Sequence, residues 1–187
     1  MTRIIQLVLV LLSYQGFVQA QQHVHGQGSL FIIQDGEYWQ MQFTLPASDA
    51  LGFEHAAEDP KQQAAVSDLK QRLMQLDSLL ELDQQCSQQS ISDNLSAFDV
   101  VEHKHNDEHK HKHHDHHQHA DEAHEQHSKH QDIQVSYVLK CPAPIATIGF
   151  SLFNSIDTLE TFDIQWSIAT GQGSATVSQS SPRLDLE

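Results

Sequence analysis

The sequence predicts an α+β fold: a mainly antiparallel β-sheet, one long packing helix and a disordered histidine-rich insertion. Three observations predict it. Several stretches alternate apolar and polar residues with the period of two that a half-buried strand needs. One stretch repeats apolar residues at spacings of three and four, the mark of a helix face. Finally, 12 of the 15 histidines fall within the 28 residues 103–130. At 187 residues the chain is one domain with appendages. Setting aside the ends and the insertion leaves roughly 130 residues for a core, enough to fold alone.

Residues 1–20 read as a secretory signal. Arg3 supplies the basic start, residues 4–12 an apolar run, and Val18-Gln19-Ala20 a small-residue cleavage site. That run is too short to span a bilayer. The first cysteine is Cys86, so no lipid-bearing cysteine follows the cleavage point. The expectation is a periplasmic protein, exported by its signal peptide and not inserted in the membrane. Its mature part, 21–187, forms a single domain interrupted by a loop at 97–131.

Cleavage after Ala20 would leave Gln21-Gln22-His23-Val24-His25-Gly26 at the terminus. A free amine with histidine third in line can wrap Cu2+ or Ni2+ in a square plane, unless Gln21 cyclises and loses that amine. His23 and His25 are two apart, so in a strand they share a face and can chelate Zn2+ together. The alternative is a polar strand start.

From Gly28 the pattern is β. Leu30-Phe31-Ile32-Ile33 and the alternating stretch 38–45 flank Asp35-Gly36, a hairpin signal, and Pro46 closes the second strand. Gly52-Phe53-Glu54-His55-Ala56 follows. There Glu54 and His55 can serve a metal site, or His55 can be a structural hydrogen-bonding group. Asp59 and Pro60 then open a helix whose Val66, Leu69, Leu73 and Leu76 make a packing stripe reaching about Leu80.

Residues 81–95 read as a weak polar strand, and 133–140 as an amphipathic one. These two stems are expected to pair antiparallel, making the insertion an overgrown hairpin connection. Cys86 and Cys141, the only cysteines, bracket it. In an oxidising compartment they are most simply one disulfide, the rival being a pair of thiolate metal ligands. Residues 143–148 suggest a short helical turn and 149–153 an apolar strand. Next comes a hairpin joining 161–168 to 174–177 through Gly171-Gln172-Gly173, with a last edge segment near Leu184.

The insertion reads HKHNDEHKHKHHDHHQHADEAHEQHSKH. With Ala120 and Ala123 as its only apolar side chains, it cannot bury enough surface to offset the entropy of ordering. Its ligands are many. If the segment is extended, His103 and His105 share a side, as do His109, His111 and His113. If it is helical, His105 faces the same way as His109, His113 as His117, and His124 as His127. His114, His116, His119 and His130 complete the set. Neutral imidazole suits Zn2+ and other late divalent ions, and six interspersed carboxylates offset their charge. With four lysines the segment carries −2 when its histidines are neutral and +10 when all are protonated. Metal and proton compete for the same nitrogens, so affinity should collapse below about pH 6.5, where free imidazole protonates. The bland alternative is a low-complexity spacer that binds nothing.

The balance of 10 basic and 25 acidic residues, net −15, argues against nucleic acid or anionic lipid as partner and suits a collector of divalent metal ions. No enzyme is expected. A catalytic zinc needs three fixed ligands beside a shaped cleft, and His124, Glu125 and His127 miss the metallopeptidase spacing by one residue.

Several landmarks occur in order: His23-Val24-His25-Gly26, Gly52-Phe53-Glu54-His55-Ala56, Cys86, the histidine tract, Cys141, Ser151-Leu152-Phe153, Gln165-Trp166, Gly171-Gln172-Gly173 with Ala175, and Pro182-Arg183-Leu184. Together they resemble the zinc-regulated ZrgA-like family of periplasmic proteins. The resemblance implies Zn2+ binding under zinc limitation, support of zinc uptake alongside inner-membrane zinc transporter components, and a site on the folded domain including His23, His25, Glu54 and His55. Lys104, Lys110, Lys112 and Lys129 make this insertion less acidic than the family pattern. Two other functions stay open from the sequence: metal buffering or detoxification, and a structural subunit of an envelope transporter complex.

Overall fold

The computed structural model describes residues 24–100 and 131–186; the predicted signal, His23 and the insertion with all twelve of its histidines lie outside the described residues. Alternation sets the strands. In β1 (Gln27–Asp35) and β2 (Tyr38–Pro46) the register joins Asp35 to Tyr38, leaving Gly36 and Glu37 as a two-residue turn. Only Gly36 of that pair has positive φ, +59°, the pattern of a II′ turn. Glycine alone makes the reversal, and Asp35 stays in the strand.

Short helix α1 (Ala47–Leu51) stops at Gly52, whose φ of +83° lets its N–H return to the Ser48 carbonyl. Asp59 then caps α2 (Pro60–Leu73) by accepting from the Gln62 N–H at 2.9 Å. The apolar stripe suggested a helix to about Leu80, yet α2 ends at Leu73. The Ser78 hydroxyl donates to the Arg72 and Gln75 carbonyls, and the buried Tyr137 hydroxyl donates to that of Leu73. With those terminal carbonyls satisfied, the chain turns into a 3-10 stretch, Leu76–Ser78.

The polar stretch 81–95 divides into β3 (Glu81–Leu82) and β4 (Ser87–Asp93). After the insertion come β5 (Asp132–Lys140), β6 (Thr147–Gly149), β7 (Thr161–Ile168), β8 (Gly171–Ser178) and β9 (Arg183–Asp185). Between β5 and β7 the expected order is reversed: the strand is Thr147–Gly149 and the helical turn is Ser151–Asn154. Long-range bonds decide this, since Phe150 N–H reaches the Pro182 carbonyl and Leu152 N–H that of Leu79. The turn sends Phe150 and Phe153 against Phe162, with centroids 6.0 and 6.2 Å away.

Six strands form one sheet in the order β4-β5-β2-β1-β7-β8, and β3-β6-β9 form a second. Every pairing is antiparallel except β1 with β7. Trp39, Met41, Phe43 and Leu45 of β2 and Ile133, Val135, Tyr137 and Leu139 of β5 are almost wholly buried. They pack into one core with Val66, Leu69 and Leu73 of α2 and with Ile148 and Leu184 of the small sheet. The opposite face carries Gln40, Gln165, Gln172 and Ser174, with Phe31 and Ile33 also exposed.

Candidate metal centre

The insertion leaves and re-enters through well-anchored stems. Residues 97–100 and 131, placed in the loop by sequence, are described, and Phe98 is fully buried beside Leu95. The paired stems β4 and β5 are tied further by Asn94, whose amide donates to the Asp132 carbonyl and accepts from Gln134 N–H, each at 2.9 Å. Cys86 and Cys141 are disulfide-bonded across 55 residues, so neither sulfur serves as a thiolate ligand. Closing a loop of that length stabilises the fold by about 4 kcal/mol in the chain-entropy account.

His25 sits in a turn in which Gln27 N–H bonds the Val24 carbonyl and Gly26 has φ +78°. Its Nδ1 lies 2.9 Å from the Ser48 hydroxyl of α1. Gly26 N–H donates to the Asp49 carboxylate at 2.6 Å, and the Gly26 carbonyl accepts from Glu160 and Thr161. A β-carbon on Gly26 would lie 3.3 Å from Glu160 Cγ, so one imidazole and two acids crowd around this glycine. The sequence gives no sign of Ser48 beside His25, or of Asp49 and Glu160 beside Gly26, because these approaches leave no local pattern.

His55 stands exposed in the segment after Gly52, its ring 5.4 Å from that of the half-buried Phe53. Its Nδ1 lies 2.8 Å from the Ala56 carbonyl. A carbonyl only accepts, so Nδ1 carries the proton and the lone pair of the neutral ring is on Nε2, the tautomer a metal-binding histidine presents. Glu58 Oε1 is 3.8 Å from the same Nδ1. Glu54, beside it, is half-buried. Among the described residues no group of three or more His, Cys, Asp or Glu converges to hold a metal. The structure thus places His25 and His55 individually. His23 falls outside the described residues, and so do the insertion ligands, including the expected helical pairs of His105 with His109, His113 with His117, and His124 with His127.

The two roots of the insertion meet the chain on either side of these residues. Ala47 N–H donates to the Gln131 carbonyl at 3.0 Å, and Ala57 N–H donates to the Phe98 carbonyl at 2.9 Å. Residues 47–57, carrying Ser48, Glu54 and His55, are therefore bonded at one end to the returning stem and at the other to the departing one.

Clefts elsewhere offer less chemistry. One of about 270 Å³ lies between α2 and residues 98–100, and one of about 540 Å³ beside Asp77, Asp83 and Cys86. Neither is lined by a histidine. No described helix is long and apolar enough to cross a membrane.

These features define a class: a small α+β domain that displays imidazoles beside the root of a histidine-rich insertion. Residues 22–186 match the model of the ZrgA family zinc uptake protein, and the chain belongs to that family. A search of curated proteins finds no match. The role that the family assigns is zinc uptake.

Proposed function

We propose that the protein captures Zn2+ in the periplasm on the imidazoles of 103–130 and passes it to the folded domain, supporting uptake by inner-membrane transporter components. His55 is the receiving ligand best prepared by its surroundings, with His25, His23 and Glu54 as the others. What supports this reading is the pair of backbone bonds from Ala47 to Gln131 and from Ala57 to Phe98, which set the His55 segment between the two roots of the insertion. An ion leaving the last imidazoles of the insertion then meets that segment first. Many weak ligands give a wide capture radius and fast exchange, while one oriented Nε2 gives a destination.

Calorimetric titration of Zn2+ into the mature chain tests it. Deleting 103–130 should remove most of the bound zinc and leave a residual site that His55→Ala weakens about tenfold or more. Acidification below about pH 6 should release the metal. Unchanged stoichiometry and affinity after the deletion would remove the insertion from the mechanism. Unchanged residual affinity in His55→Ala would remove the folded-domain station.

A further inference from the structure

An exposed strand edge offers a row of backbone groups to any other strand, and proteins commonly blunt it with charge, proline, a bulge or brevity. Most edges here carry such a device. β4 has a register shift between Gln88 and Ser90, a disulfide at its start and Asp93 at its end. In the small sheet, β3 has two residues, including Glu81, and β9 has three, two of them Arg183 and Asp185. β8 has none. It runs eight residues in unbroken register with β7 and contains neither proline nor charge, and apart from the bridge of its last residue, Ser178, to Ser181 its outer side pairs with no described strand.

The lack of charge extends well beyond β8. No ionisable side chain occurs from residue 164 to 182, in a chain whose net charge is −15. Asp163, just outside, is engaged by Gln27 and Thr176. Trp166 lies across Gly173, where a β-carbon would meet its ring at 2.2 Å, and remains half-exposed on the inner side of the edge.

We infer that β8 pairs antiparallel with β8 of a second copy of this chain, about a two-fold axis, to make one continuous twelve-stranded sheet. Charge selects this occupant and this surface. The described residues hold 17 acidic and 5 basic side chains, so two copies repel one another over most of their surfaces. The β8 hairpin lets them meet with their charges held apart, and a two-fold interface needs only one self-complementary strip. The arrangement also leaves the metal-collecting ends free. The insertion springs from β4 and β5 at the far end of the sheet, so with strands about 4.8 Å apart the two insertions would stand roughly 50 Å from each other.

Sedimentation equilibrium of the mature, disulfide-bonded chain tests the inference, in low salt and in about 1 M salt, where screening shortens the reach of charge to about 3 Å. Dimers should form and tighten as salt rises. The double variant Gln172→Lys, Ser174→Lys changes two exposed β8 positions and lowers the net negative charge. General association would therefore strengthen in it, whereas edge pairing should weaken about tenfold or more. Circular dichroism checks that it folds, and Ser174→Lys alone replaces it if it does not. A chain that stays monomeric up to about millimolar concentration in high salt overturns the inference. So does a dimer that survives the lysines, which would place the contact on another surface such as the Phe31 and Ile33 face.

Discussion

The two ends of the six-stranded sheet each join a pair of antiparallel strands, and they do so by opposite means. At one end β7 and β8 are separated by Ala169 and Thr170 alone, and the short connection leaves little loop entropy to offset. Its demands are steric: Gly173 must lack a side chain so that Trp166 can lie over it. At the other end β4 and β5 flank the histidine insertion, and β4 buries almost nothing, its side chains being mostly exposed. That pair is held instead by the Cys86–Cys141 bond, by Asn94 bridging both stems and by Leu95 and Phe98 sunk in the core. A strand that carries a long polar insertion is thus secured by covalent and buried anchors at its ends, since its own side chains contribute little.

The largest expected effect breaks that comparison at the β4 end. Replacing both cysteines by alanine should lower stability by about 4 kcal/mol, seen as an earlier denaturant midpoint, with amide exchange rising in β4 well before β8. Equal loss of protection at both ends would show that the bond acts on the whole sheet alike. Gly173→Ala probes the other end. The new methyl group forces the indole off its strand, costing about 1–3 kcal/mol and shifting Trp166 fluorescence toward solvent; an unchanged spectrum would refute the close approach.

Tyr137→Phe should cost about 1 kcal/mol, because the Leu73 carbonyl loses its donor. Burial, and secondarily the negative charge of Asp93, hold this phenol above its ordinary value. The folded state therefore favours the protonated form. Its contribution is complete below about pH 10 and is lost as pH rises beyond that, so the wild type should lose stability at alkaline pH along a slope that the phenylalanine variant lacks. The smallest change belongs to the helix cap. Asp59→Ala removes a solvent-exposed cap and should cost about 0.5 kcal/mol in thermal melts, with neither sheet end affected more than the other.

Much of the fold was readable from local pattern. The first hairpin, the capped start of α2, the pairing of the stems and the disulfide follow from alternation, from Asp59-Pro60 and from two cysteines around one tract. The helix end at Leu73, the order of strand and turn at 147–154 and the parallel pairing of β1 with β7 did not. Each is decided by partners far away in the chain: Tyr137 on Leu73, Leu79 on Leu152, and Gly28 beside Phe162. The candidate site divides in the same way. His25 and His55 stand out by residue type, but the contact of His25 with Ser48 spans 23 residues, and the backbone turn that aims the adjacent Ala56 carbonyl at the His55 ring shows only in the folded chain.

By itself, then, the chain's order of residues determined what chemistry it carries: imidazoles in number, a single sulfur bridge around them and a strongly acidic balance, because ligand type and charge belong to side chains wherever they lie. Tertiary structure decided where that chemistry is presented. Hydrogen bonds from Ala47 to Gln131 and from Ala57 to Phe98 join residues 84 and 41 positions apart, so the proximity of the His55 segment to the insertion roots exists only once the sheet has closed the distance.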